Sequence, residues 1–70
     1  MMPLIYADIG AEAIIRKIAG KPETKKHLES LGFVPGSRVT VISANGGNLI
    51  VNVKEARIAI SREMAGKIMI

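Results

Sequence analysis

The tetrapeptide Asn45-Gly46-Gly47-Asn48 separates two runs of alternating apolar residues. Asparagine and glycine accept the positive φ angles that a tight hairpin loop demands. The flanking runs must therefore fold back on each other as antiparallel strands. In the first, Arg38 to Ala44, Val39 and Val41 share one face while Thr40 and Ile42 share the other. In the second, Leu49 to Val53, the core set is Leu49, Val51 and Val53, with Ile50 and Asn52 opposite. Side chains alternate across a strand, so this period of two fixes which residues face inward. Lys54-Glu55 supplies a second polar reversal, and Arg57 to Ser61 returns with Ile58 and Ile60 inward. The centre of the chain is thus a three-strand meander.

Seventy residues make one domain, with all of 1–70 belonging to it. A chain of this size buries only about 60% of the surface its unfolded form exposes. No cysteine is available to staple it or to hold zinc as a thiolate. Stability has to come from a well-closed apolar core, for which the 49% hydrophobic fraction is ample.

Pro22 to Leu31 is expected to form the one clear helix. Proline suits a first turn, where its missing N–H would have no helical partner. Glu23 favours the positive end of the helix dipole. Leu28 and Leu31 fall on one side with Thr24, and Lys25, Lys26 and Glu29 on the other. Gly32 can take the left-handed conformation that stops a helix, which places Phe33 to fold back on Leu28. Pro35-Gly36 then forms a tight turn into the meander.

Glu12 to Ala19 reads as an Ile-rich strand. Ile15 and Ile18 lie three apart, so strict alternation cannot turn both inward; a bulge near Arg16-Lys17 would. Leu4, Ile5 and Ile9 can cover one end of the core, with Leu4 to Gly10 either a turn or a single helical turn. Arg62 to Gly66 reads as a short turn-like or 3₁₀ segment before a terminal strand, Lys67 to Ile70. The fold expected is mainly β: a small SH3-like barrel of five to six strands with one inserted α-helix. Closing a barrel removes the exposed edges of a flat sheet.

The charge balance is ten basic against six acidic residues, a net +4, with a pI of about 9.9. In a short chain a few charges move the pI far, and these bases are scattered from Arg16 to Lys67. The charge admits an acidic partner or a membrane surface. It makes nucleic acid an unfavoured partner, because Tyr6 and Phe33 are the only aromatic residues and single-strand platforms need clustered rings. No run approaches the roughly 20 apolar residues of a membrane span. The start, Met1-Met2-Pro3, lacks the regions of a signal peptide, so a cytoplasmic location is expected.

The run Leu28-x-x-Leu31-Gly32-Phe33-x-Pro35-Gly36-x-x-Val39-x-Val41 resembles the signature of FeoA domains. Further pieces extend the resemblance over nearly the whole chain: Leu4, Gly10, Ala13, Ile15 and Ile18 before it, then Ile58-Ala59-Ile60-Ser61-Arg62 and Ala65-x-x-Ile68-x-Ile70 after it. Two departures stand out. The compact Asn45–Asn48 hairpin replaces the prolines common there, and Lys26 and His27 stand where arginines are frequent. The resemblance implies an SH3-like fold and an accessory role in bacterial ferrous-iron uptake, on the cytoplasmic side of the membrane transporter FeoB. A second implied role is a regulatory module like the C-terminal domain of metal-dependent repressors.

Catalytic chemistry has little to work with. Nucleophilic catalysis needs a nucleophile, a base and an orienting group, yet there is no Cys and His27 is the only His. Glu23 and His27 share a helix face but do not complete a coordination shell, so neither a metal site nor a cofactor is expected. Gly46-Gly47 lacks the following helix and Lys of a phosphate loop. The chain is read as a binding module and not an enzyme. Three areas compete for a partner: the helix face at Lys25, Lys26 and His27; the projecting tip Asn45, Gly46, Gly47 and Asn48; and outward apolar residues, chiefly Ile42 and Ile50 with Ile14 and Met69. The apolar residues need a cover, which the helix, a second copy of the chain or the transporter would supply.

Overall fold

The computed structural model describes residues 1–70. A 3₁₀ turn, Leu4–Tyr6, leads into β1 (Glu12–Ile14) and β2 (Lys17–Ile18). Helix α1 (Pro22–Ser30) follows, then β3 (Arg38–Asn45), β4 (Asn48–Val53) and β5 (Ala56–Ser61). Helix α2 (Arg62–Ala65) and β6 (Ile68–Met69) complete the chain.

The meander forms as its alternation requires. Val39 pairs with Val53 and Val41 with Val51, and Leu49 pairs with Ile60. These six side chains are all buried. Each such burial contributes roughly 1.5–3 kcal/mol relative to exposure. Strand β1 adds to the free edge of β3, so the sheet order is β1-β3-β4-β5. A β-bulge falls between Val41 and Ser43, leaving Ile42 as the extra residue. The bulge bends and twists β3 so that the sheet curls over its own core.

The segment Glu12–Ala19 is not one bulged strand as expected. It breaks in two, and each half joins a different sheet. Glu12–Ile14 pairs with β3, whereas Lys17–Ile18 pairs with β6. The switch happens at Ile15, whose N–H donates to Ser37 O at 2.9 Å, and Arg16, whose N–H donates to Met69 O at 2.8 Å. Sheet-switching strands make the corners of small sandwiches and barrels. The switch also resolves the three-residue spacing: Ile15 and Ile18 are both buried. The ladders do not close into one continuous barrel. The structure has a curled four-stranded sheet and a two-stranded sheet, with the short β1 and the six-residue β5 as edges of the larger one.

Helix α1 ends as its sequence dictates. Gly32 adopts φ +108°. Its N–H donates to Glu29 O at 3.0 Å, and the Phe33 N–H donates to Leu28 O at 3.0 Å. These are the two bonds of a Schellman motif, which satisfies carbonyls that the helix end would otherwise orphan. Phe33 and Leu28 are both fully buried. Pro35-Gly36 makes the expected turn, with the Ser37 N–H donating to Val34 O at 3.0 Å and Gly36 at φ +92°.

Two further expectations need correcting. Arg62–Ala65 is an α-helical turn, not 3₁₀: the Gly66 N–H donates to Arg62 O, four residues back, at 2.9 Å, and the Ser61 hydroxyl caps the start by accepting from the Met64 N–H at 3.1 Å. Ile9 does not cover the core: it is 62% exposed, while Leu4 is buried. The remaining core comes from Ala65 on α2 and Ile68 on β6. Ile70 packs against it, and its backbone exchanges both hydrogen bonds with Met2.

Candidate docking surfaces

The three areas named from the sequence lie on separate parts of the molecule. Lys25, Lys26 and His27 are exposed along α1. Only Leu28 of that helix is buried, so its outer side is solvated for most of its length. The His27 carbonyl accepts a hydrogen bond from the Ser30 hydroxyl at 2.6 Å. Glu23 stands one turn before His27, but no three His, Asp or Glu side chains converge anywhere.

The tip, Asn45 to Asn48, is exposed throughout. Asn45 pairs with Asn48, so Gly46 and Gly47 alone make the loop. It is tethered, not free: the Gly47 carbonyl accepts the Arg62 N–H at 2.9 Å. This tip and the stop of α1 are at opposite ends of β4. Lys54, just past Val53, lies beside Gly32, and the six residues of β4 separate it from the tip. A strand of that length spans about 20 Å.

Ile42 and Ile50 are half-buried. They do not pair with each other across the ladder. Ile50 lies between Ser43 and Ala59, and Ile42 is the unpaired bulge residue. Ile14 is 42% exposed on the edge strand β1, and Met69 is half-buried on β6.

A fourth surface was not singled out in the sequence. The register aligns Glu12, Thr40, Asn52 and Arg57 in one row across all four strands of the larger sheet. Beside that row opens a concavity of about 590 Å³, lined by Glu12, Ser37, Arg38, Thr40, Asn52, Lys54 and Glu55. Arg38 Nε lies 3.9 Å from Glu12 Oε1, with the two side chains 72% and 59% exposed. An exposed pair at that distance contributes little to stability.

The rim of this concavity is the β4–β5 hairpin. Lys54 and Glu55 hold φ values of +49° and +66°. Positive φ at both central residues is the pattern of a type I′ turn, whose twist matches the flanking strands. Each non-glycine residue there costs roughly 1–2 kcal/mol. Such strain clusters at functional positions, and both residues line the concavity. The stem of Lys54 runs over Gly32, bringing its charge to the helix end where cations are favoured. The arrangement offers mixed charge and hydrogen-bonding groups on an open surface, suited to recognising a polar partner.

Two curled antiparallel sheets, a stopped helix and a sheet-switching strand define a small SH3-like protein. The comparisons with known proteins agree. A crystal structure of Stenotrophomonas maltophilia FeoA with zinc, described as a prokaryotic SH3 domain protein, superposes with a TM-score of 0.85 at 23% identity, over 99% of this chain and 88% of that one. Residues 2–70 match the FeoA domain, and the chain belongs to that family. A Methanocaldococcus jannaschii protein provisionally named Fe(2+) transport protein A is 39% identical over 70 residues, all of this chain and 85% of its relative. A crystal structure of an iron uptake regulatory protein, FeoA, gives a TM-score of 0.88 at 28% identity, covering 96% of this chain and 91% of that one. The same fold recurs within a manganese-dependent transcriptional repressor, with a TM-score of 0.85 at 20% identity, over 94% of this chain and 38% of the repressor. No helix is long and apolar enough to cross a membrane.

Proposed function

We propose that this chain is a cytoplasmic accessory of ferrous-iron uptake that docks on the FeoB membrane transporter and acts by binding, not by catalysis. The observation that carries the reading is the match over the full chain to a relative named for Fe(2+) transport, within the FeoA family. The S. maltophilia structure adds support, since that protein is described as a suggested ferrous iron transport activating factor. Docking would use the polar concavity beside Lys54 and Glu55, together with the exposed helix face at Lys25, Lys26 and His27. The tether of Gly47 to Arg62 would hold the Asn45–Asn48 tip as a second, rigid contact.

The test is co-purification of the full chain with full-length FeoB from the same source, followed by cross-linking. Cross-links from Lys54 or Lys25 to the transporter are the expected result. Failure to co-purify under several detergents and salt conditions would overturn the docking. The second reading, a regulatory module acting on a metal-sensing protein, draws on the fold shared with the repressor. Capture of such a protein in place of FeoB would favour it.

A further inference from the structure

The positive charge of this chain is not spread evenly. Residues 16–25 and Lys67 hold five bases, Arg16, Lys17, Lys21, Lys25 and Lys67, against the single acid Glu23. That is the whole formal net charge of +4; the other five bases are matched by five acids.

The fold brings the four lysines to one face. Lys17 pairs with Met69 across β2 and β6, and the Ala19 N–H donates to Lys67 O at 2.7 Å, which extends the same register. Residues two apart on a strand share a face. Lys17 and Lys67 therefore sit diagonally on the outer face with Met69 between them, while Ile18 and Ile68 point to the core. Pro3 bridges to Met69 and continues that outer row. The stem of Lys67 passes close to Gly20 and Thr24: a Cβ at Gly20 would lie 3.2 Å from Lys67 Cδ and 3.6 Å from Thr24 Cβ. This carries the basic face to the start of α1, where Lys21 and Lys25 follow one turn apart.

The arrangement opposes stability. Diagonal like charges on a sheet and like charges four apart on a helix both repel. None of the five bases forms an ion pair, the one ion pair of the molecule being Arg38–Glu12 on the larger sheet. Water and counterions screen these charges, and an anionic partner would relieve the repulsion.

We infer that the face formed by Lys17, Met69, Lys67, Lys21 and Lys25 is a contact surface for an anionic membrane. Its four bases are all lysines, compact point charges without the bidentate fork that selects individual carboxylates or phosphates. Lysines set around apolar Met69 and Pro3 suit a headgroup layer, which offers diffuse charge above an apolar interior. The face has no aromatic ring on which a base could stack. It has no cleft for a peptide either, since the molecule's concavity lies on the other sheet. This inference does not rest on docking to FeoB, because its test contains no transporter.

The experiment is flotation of the full chain with vesicles of pure phosphatidylcholine and of phosphatidylcholine mixed equally with phosphatidylglycerol. Binding to the anionic vesicles alone, weakened by salt, is expected. Each lysine near such a surface changes partitioning about five-fold, so Lys17→Gln with Lys21→Gln should lower it about thirty-fold. Lys54→Gln with Arg57→Gln removes the same charge from the larger sheet and should leave binding within about two-fold. Equal losses in the two pairs would show that net charge and not this face matters, overturning the proposal. Absence of flotation at low salt would overturn it as well. Tighter binding to duplex DNA or to polyglutamate than to the vesicles, lost in the Lys17/Lys21 pair, would reassign the face to that partner.

Discussion

Replacing Gly32 with alanine isolates the contribution of the helix stop. Gly32 is held at φ +108°, beyond the left-handed basin that side-chain-bearing residues occasionally visit. A Cβ there would meet Lys54 Cδ at 3.6 Å and Val53 Cγ1 at 3.7 Å, ordinary van der Waals separations. Steric clash therefore adds nothing, and the cost is that of the backbone. Backbone at or beyond the left-handed basin costs an L-residue roughly 1–3 kcal/mol. Alanine recovers about 0.4–1 kcal/mol by narrowing the unfolded ensemble. The net is a loss of about 1–2 kcal/mol. A domain of this size holds roughly 3.5–10 kcal/mol in total, so the loss is a large share. It should lower Tm by about 4–8 °C for each kcal/mol lost, read by thermal melts followed by circular dichroism. Gly47→Ala is the control, because Gly47 lies outside the positive-φ set and its Cβ would meet open space. That variant should stay within about 0.5 kcal/mol of the parent. Equal melting shifts for Gly32→Ala and Gly47→Ala would refute the argument. A loss beyond about 3 kcal/mol would refute it too, since only a clash could account for it.

Three further outcomes follow from the same structure. Ile15→Val should cost about 0.5–1.5 kcal/mol in urea denaturation, whereas Ile14→Val should stay within about 0.5 kcal/mol; the reverse order would contradict the sheet switch. Ser61→Ala removes the cap bond to the Met64 N–H and should lower stability by about 1 kcal/mol, with hydrogen exchange at Met64 accelerated. Glu55→Gly relieves a left-handed residue in the type I′ turn and should raise Tm by a few degrees, the strain relieved exceeding the added chain entropy; a lower Tm would show that Glu55 makes a compensating contact.

Much of this architecture is legible in short windows of the chain. The glycine stop, the Phe33–Leu28 contact and the Pro35-Gly36 turn depend only on φ preferences and neighbours a few residues apart. The meander is legible for the same reason: two polar reversals join strands whose alternation is regular. The resemblance to FeoA domains centres on those local pieces and runs from Leu4 to Ile70, and the family match covers residues 2–70. Less of the candidate surfaces can be read this way. Lys25, Lys26 and His27 are exposed as expected from their helical face. Ile42 and Ile50 were expected on one outer face, but the bulge sets them out of register. The concavity has no signature in the sequence because its lining comes from five separated stretches, from Glu12 to Glu55. Each of those residues is an unremarkable polar position within its own strand or turn.

What the amino-acid order determined by itself is every feature governed by local sterics and by a period of two or 3.6: turns, caps, inward faces and the stopped helix. What only tertiary structure decided is the partnering: the division of 12–18 between two sheets, the bulge at Ile42, the tether of Gly47 to Arg62 and the pairing of Lys17 with Met69. Backbone hydrogen bonds look alike to every strand. The choice among partners is made only when the curled sheet closes on its core and each remaining N–H and C=O must find an acceptor or donor there.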